Sequence, residues 1–298
     1  MKLKTINTIL SHPLNKNRKI KALLTFFKRG FVIRLHHHPV VYPFIENTFL
    51  VVEKGMSSAE LQIYTTLYDL NEMLFLMHYL RPEDTFVDIG ANVGVYSVLA
   101  SGVAKSHSLS FEPIPSTFRR LKRNIRYNNL DEKVELFNLG VGDKEETLIF
   151  SDSLDAINHV IQDSGFNGPT TEIPVNSLDG ILADTSPAGR PIHFMKVDVE
   201  GFEANVINGA FKTLATTALN VIIIETNGLS DQYEFGQNYI HNKLVEFGFE
   251  PYNYLPEKRT LQKITATNPQ NTIYIRDFDL AMQRVLAAAK INIDGALI

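Results

Sequence analysis

No cysteine occurs among the 298 residues. Disulfides, thiolate nucleophiles and Cys-ligated zinc or iron–sulfur centres are therefore excluded. Long apolar runs are missing too. The segment "NVIIIET" falls far short of the ~18 residues that a membrane span needs, and it reads as a buried strand. No clean apolar run with a small-residue cleavage site follows the basic N-terminus, so the expected setting is cytoplasmic. Acidic residues are absent from positions 1–45, which carry nine Lys/Arg. The other 20 basic residues stand against all 33 acidic ones, so a basic arm precedes a body of about −13 within a net charge of −4. Such an arm suits the acidic body of its own or a sister subunit, giving a homo-oligomer. It also suits an anionic surface such as lipid headgroups or polymer phosphate. Nucleic acid is not an expected partner.

What is present is ample apolar material, 44% of the chain. That supports one large domain, or one domain with an appendage. Residues 1–80 read as a basic arm followed by a helical and strand extension. "NKNRKIKALLTFFKRGFVIRL" carries a helical apolar pattern (Ile20, Leu23, Leu24, Phe27) ending near Gly30. "PVVYPFIENTFLVVEKG" reads as strands, and "SSAELQIYTTLYDLNEMLFLMHYL" as a helix. Residues 81–298 read as the main domain. Strands "TFVDIG", "SLSFEP", "KVELFNLGV", "HFMKVDVEG" and "LNVIIIET" alternate with helices, while "TLIFSD" and "TEIPVNSLDGIL" interrupt the rhythm. Alternation of this kind predicts a doubly wound, mostly parallel α/β sheet covered on both faces. "PYNYL" and "NTIYIRDF" predict a C-terminal antiparallel strand pair, and "LAMQRVLAAAK" a final helix.

The stretch "TFVDIGANVGVYSVLA" feeds a strand into a glycine loop. In such sheets ligands bind beyond the carboxyl ends of the strands, where strand order reverses. The loop lacks the G-x-G-x-x-G spacing of dinucleotide binders, and Asp88 stands directly before it. A pyrophosphate would be repelled by that carboxylate, whereas a cationic ligand would be favoured. Glu112, ending the next strand, is placed to accept ribose hydroxyls. Together these features suggest a nucleoside with a cationic end, and S-adenosylmethionine fits that description.

The sequence resembles the FkbM-type S-adenosylmethionine-dependent methyltransferases. The resemblance rests on "FVDIGANVGVYSVLAS", "FEPIPSTFRRLKRNI", "NHV" at 158–160 and "MKVDVEGFEANVINGA". Upstream it extends to "HPLNKNRKIKALLTFF" and "LFLMHYLRPEDTFVDIGANVG", and thus over nearly the whole chain. The segment "KGMSSAELQIYTTLYDL" departs from it, since relatives are richer in glycine there. The resemblance implies a Rossmann-like fold and a cofactor loop of Asp88, Gly90, Ala91, Asn92 and Gly94. Glu112 would hold the ribose, and Asn138 falls where such folds often place an adenine contact. It also implies O-methylation of a hydroxyl on a sugar, glycan or glycosylated or polyketide-type metabolite. A non-catalytic nucleoside-binding module that recruits a partner is the alternative.

Methyl transfer to a hydroxyl needs an aligned acceptor and a base to take its proton. Lys196, Asp198 and Glu200 alternate in "HFMKVDVEGFE", so a continuing strand would set all three on one side. Either Asp198 or Glu200 faces the acceptor or helps hold a divalent cation, or Lys196 simply neutralises Asp198 or Asp88. Glu203 reads as a first-turn helix acid. His159 is a candidate base, in a segment that interrupts the sheet rhythm. Glu225 either lines the substrate pocket or caps a loop. The "HHH" at 36–38 does not converge as a metal site in an extended chain.

Overall fold

The computed structural model of the chain describes residues 2–16, 18–35, 38–53, 56–151, 159–161, 166–185, 190–226 and 238–298. His36 and His37 lie outside the described residues. Helices α1 (Lys2–Ser11) and α2 (Lys19–Leu35) lead to an antiparallel hairpin, β1 (Val40–Pro43) with β2 (Phe49–Val52). Two helices follow, α3 (Ser57–Thr65) and α4 (Leu70–Tyr79). The sequence pattern predicts one helix here. The break falls at Thr66, whose φ of 72° no α-helix contains.

The alternating region opens with β3 (Thr85–Ile89), α5 (Val95–Val98), β4 (His107–Phe111), α6 (Pro115–Tyr127) and β5 (Val134–Phe137). The interruption is a separate three-stranded sheet of β6 (Gly140–Gly142), β7 (Glu146–Ser151) and β8 (Thr170–Ser177), followed by α7 (Leu178–Thr185). Alternation resumes with β9 (Ile192–Val197), α8 (Glu203–Asn208), α9 (Phe211–Ala215), β10 (Val221–Glu225) and α10 (Tyr239–Glu246). The chain then adds β11 (Glu250–Leu255), β12 (Thr260–Lys263) and β13 (Asn271–Ile275), and after them α11 (Phe278–Ala287). A last hairpin joins β14 (Asn292–Ile293) to β15 (Ala296–Leu297) across an Asp294-Gly295 turn.

Eight strands form the central sheet in the order β12-β11-β13-β10-β9-β3-β4-β5. The five from β10 to β5 are parallel, and β13, β11 and β12 extend the sheet antiparallel. The predicted antiparallel pair is thus a triplet. Its third strand, "TLQK", buries only Leu261 and carries little apolar signal. Consecutive residues of each central strand face opposite layers, as a pleated strand requires. Phe86 and Ile223 join one apolar cluster with α4 and α11, while Val87 and Ile222 join another with α8 and α10. Every residue of β3 is buried, which suits the centre of a parallel sheet.

The N-terminal 80 residues share the first of these cores. Ile9, Tyr42, Leu50 and Met56 belong to the same cluster as Phe86 and Phe194. Strand β2 offers an open edge, and α6 covers it with amides. Asn124 Oδ1 accepts from Val51 N at 2.7 Å. Asn128 accepts from Phe49 N and donates to Phe49 O, both at 2.8 Å. Helix α2 continues through Gly30 to Leu35, beyond the predicted end near Gly30. Among the described residues, no helix is long and apolar enough to cross a membrane.

The chain steps from β3 through β4 to β5 in one direction, then restarts at β9 on the other side of β3. The crevice beyond β3 and β9 is therefore the topological switch point, where open α/β sheets bind their ligands.

Candidate active site

Asp88 leaves the end of β3 with 1% of its surface exposed. Its Oδ2 accepts from Ser97 Oγ at 2.6 Å. Its Oδ1 is buried with no hydrogen-bond partner among the described residues. The loop that follows consumes its own amides. Gly90 N and Ala91 N donate to Phe111 O at 3.0 and 2.8 Å. Asn92 N donates to Glu112 Oε2 at 3.0 Å, and Val93 N to Asn92 Oδ1 at 2.8 Å. Four successive N–H groups are thereby unavailable to a phosphate, which is the opposite of an anion-binding loop.

Two glycines serve different purposes. At Gly90 (φ +79°) a Cβ would sit 1.8 Å from the carbonyl oxygen of Asp198, so the loop after β3 touches the loop after β9. At Gly94 (φ +87°) a Cβ would meet Leu121 Cδ1 at 2.5 Å. Gly94 therefore lets α5 pack on α6 and does not face the cavities described below.

Glu112 directly follows β4 and is nearly buried, 6% exposed. Besides Asn92 N, it accepts from Ile114 N at 2.9 Å. Burial pushes its carboxyl up to about 7 against those two amides. Glu112 thus ties the glycine loop to β4 while keeping lone pairs for a ligand. Asn138, after β5, donates to Glu112 O and Pro113 O, both at 2.9 Å. Its amide NH2 secures the backbone beneath Glu112, and the side chain lies outside the cavities lined by the glycine loop.

Two cavities meet at a waist formed by Gly90, Asn92, Asp198 and Glu200. The smaller, about 50 Å³, is lined by Glu112 and by apolar Phe111, Ile114, Leu139, Phe150 and Phe202. The larger, about 360 Å³, holds Asp69, Asp88, Tyr96, Lys196 and Glu225. An outer cleft of about 390 Å³ shares Tyr68, Asp69, Gln270 and Asn271 with the larger cavity. Its wall adds Asn71, Glu72, Asn253 and Asn268.

Strand β9 stops at Val197, so the predicted alternation does not carry to Glu200. The loop brings the three charges together all the same. Lys196 Nζ donates to Asp198 Oδ2 at 2.7 Å and lies 4.6 Å from the centre of the Tyr96 ring. Burial works against this ammonium, but Asp198, Asp88 and Asp69 outweigh it and raise its pKa. Glu200 adopts φ 52°, an unfavourable conformation for a non-glycine residue and of a kind that clusters at functional sites. Burial and then Asp198 push its carboxyl up to about 7. Glu203 opens α8 and accepts from Val199 N and Gly201 N, both at 3.1 Å, holding this loop in place.

Oxygens of Asp198, Glu200 and Glu225 lie within 4.8 Å of one another. Glu225 is pushed up to about 9 by burial and by Asp198, Glu200 and Glu203. Oxygen ligands at this spacing can hold a hard cation or share protons. His159 lies elsewhere, beside β7. Its N donates to Ser151 Oγ, and its carbonyl accepts from Ser151 N, both at 3.1 Å. The structure does not set it in the cavity of Asp198.

Tyr68, Asp69 and Tyr96 line the larger cavity without a sequence motif that marks them. The α3–α4 break presents Tyr68 and Asp69 to the cavity. Tyr96 donates to Asp69 Oδ2 at 3.1 Å, linking that acid to the Lys196 pair. Burial pushes Asp69 up to about 6, and burial followed by Asp69 pushes Glu72 up to about 7. The available signal for Tyr96 was a hydroxyl-bearing pair, Tyr96-Ser97, in an otherwise apolar helix start.

A mostly parallel sheet with a glycine loop at its switch point and an acid just after the second strand defines a Rossmann-like α/β fold. Residues 88–270 match the methyltransferase FkbM domain, and the chain belongs to that family. It is 28% identical over 149 residues to "Methyltransferase 1" of Beauveria bassiana, covering 43% of this chain and 59% of that one. It is likewise 28% identical over 153 residues to the hexuronic acid methyltransferase AglP of Haloferax volcanii, covering 50% of this chain and 59% of that one. The matched stretch thus spans about three fifths of each of these two relatives. A crystal structure of the methyltransferase FkbM from Methylobacillus flagellatus aligns with a TM-score of 0.43 at 15% identity, covering 73% of this chain and 54% of that chain.

Proposed function

We propose that this protein is an S-adenosylmethionine-dependent O-methyltransferase acting on a hydroxyl of a sugar or glycosylated metabolite. The observation that carries the cofactor is the unpartnered, buried Asp88 Oδ1 beside a loop whose amides are already spent. Such an oxygen needs a donor or a cation, and it repels a phosphate. Glu112 and the apolar small cavity suit ribose and base, while the acid-rich larger cavity suits an ammonium and a sulfonium. The cofactor supplies an electrophilic methyl group when bound.

This chain's own residues would do the rest. Asp88 and Glu112 would bind the two polar ends. Lys196 holds Asp198 in one orientation at the waist. Glu200, with a carboxyl near neutrality, is matched to take the acceptor proton. The outer cleft offers Asn71, Asn253, Asn268 and Gln270 beside Tyr68. Amides both donate and accept, as do sugar hydroxyls, and an aromatic face suits a sugar ring. The acids around the waist disfavour an acceptor that brings a further negative charge.

The test is transfer of labelled methyl from S-adenosylmethionine to neutral sugar and glycoside acceptors, alongside calorimetry with S-adenosylhomocysteine and NAD. Binding of the sulfur nucleosides with methylation of a neutral hydroxyl is expected. Binding of NAD alone would sink the cofactor assignment. Methylation confined to an amine or a carboxylate would sink the acceptor assignment.

A further inference from the structure

We infer that α2 is a docking helix that lies on an anionic lipid bilayer. Its apolar residues Ile20, Leu24 and Phe27 recur at i, i+4 and i+7, so they form one stripe. That stripe faces outward, with Ile20 78%, Leu24 65% and Phe27 61% exposed. The opposite side is fastened to the body. Ala22 is 6% exposed, and the Phe26 ring packs edge-on against Tyr64 at 4.9 Å. The outward stripe is therefore set by the fold.

Exposed lysines flank the stripe. At 100° per residue, Lys21 and Lys28 fall on one side of it and Lys19 on the other. Stems of this kind lie along an apolar surface while their heads reach outward. No Asp or Glu interrupts positions 1–45. A bilayer with anionic headgroups meets both demands at once, taking the apolar stripe between its headgroups and the lysines at its surface charge. Nucleic acid would match the lysines and leave the stripe in water. At 17 residues α2 is suited to lying in the interface and is too short to span it. The helix also stands beside the site, because Gln62 of α3 lines both the cavity against α2 and the larger cavity of Asp198.

The experiment is flotation of the full chain with vesicles of phosphatidylcholine alone and of phosphatidylcholine mixed with phosphatidylglycerol. The protein should float with the mixed vesicles, less so as salt rises. Leu24→Asp combined with Phe27→Asp should reduce flotation at least about tenfold. Lys21→Glu combined with Lys28→Glu should reduce it at least about 25-fold, since each lysine near an anionic surface is worth about fivefold in partitioning. Unchanged binding of S-adenosylhomocysteine by both variants shows that the body is intact, and this readout does not depend on flotation. Failure of the wild-type chain to float at low salt overturns the inference, as does equal flotation of the apolar double variant. Sedimentation velocity that finds a wild-type dimer dissolved by Leu24→Asp and Phe27→Asp, with no lipid binding, would assign the stripe to a second copy of the chain and overturn it as well.

Discussion

Lys196 Nζ lies 2.7 Å from Asp198 Oδ2, with the lysine side chain 4% exposed and the aspartate 32%. Among the described residues it is the one basic side chain lining a cavity that also holds Asp69, Asp88, Glu200 and Glu225. A single ammonium thus serves several carboxylates, and its removal should be felt by all of them. Lys196→Met should destabilise the protein by about 3–5 kcal/mol, the usual effect of stripping one partner from a buried pair. Chemical denaturation measures this. A loss under about 1 kcal/mol would show that the acids already share protons without it.

Glu200→Gln should retain cofactor affinity and lower turnover by about 10²–10⁴-fold, as expected for a lost general base. The acidic limb of the rate profile, set by a carboxyl near 7, should disappear with it. Asp198→Asn tests the rival assignment, and the variant that abolishes the limb identifies the base. His159→Asn should leave turnover near the parent value, because His159 is not among the described residues that line the cavity of Asp198.

Glu112→Gln should weaken binding of S-adenosylhomocysteine by roughly 1.5–3 kcal/mol, the worth of one charge-assisted hydrogen bond. It should also lower thermal stability, because its amide NH2 would face Asn92 N or Ile114 N, both of which donate to the present carboxylate. Calorimetry and melting together separate the two effects. Full affinity in a destabilised variant would confine Glu112 to holding the loop.

Stability should fall on the alkaline side. Glu112, Glu200 and Glu203 are held near about 7 and Glu225 near about 9, all above the ordinary 4.5. The folded chain keeps these protons after the unfolded chain has released them. The contribution is therefore full below about pH 4.5 and lost as pH rises through about 7 to about 9. The melting temperature should drop by several degrees across that upper range, and Glu225→Gln should flatten the drop. A profile that rises from pH 7 to 9 would contradict the pocket's charge state.

Much of the sheet was readable because most of the parallel strands are short, apolar and followed by a helix, as in "FVDIG" and "VIIIE". The glycine loop after β3 was readable because two glycines follow an acid at a strand end. The α3–α4 break was not, because Thr66 turns the chain without glycine or proline and flanking residues keep a helical pattern. Asp69 was hidden for the same reason. The backbone of Glu200 was not legible, since nothing in "KVDVEG" marks where β9 ends. The Asp294-Gly295 turn of the last hairpin is a legible signal in the sequence.

No side-chain atom fits between the α-carbon of Gly90 and the carbonyl of Asp198. On the proposed function, the cofactor half and the acceptor half of the crevice would share one party wall, with backbone on both sides. A substitution that shifts Asp198 to suit a new acceptor would press on the cofactor loop, and the reverse holds too. On that reading, freedom to change acceptors would be left to the outer rim, at Tyr68–Glu72 and Asn268–Asn271. Directed variation for new acceptors should yield active variants from that rim and few from the wall.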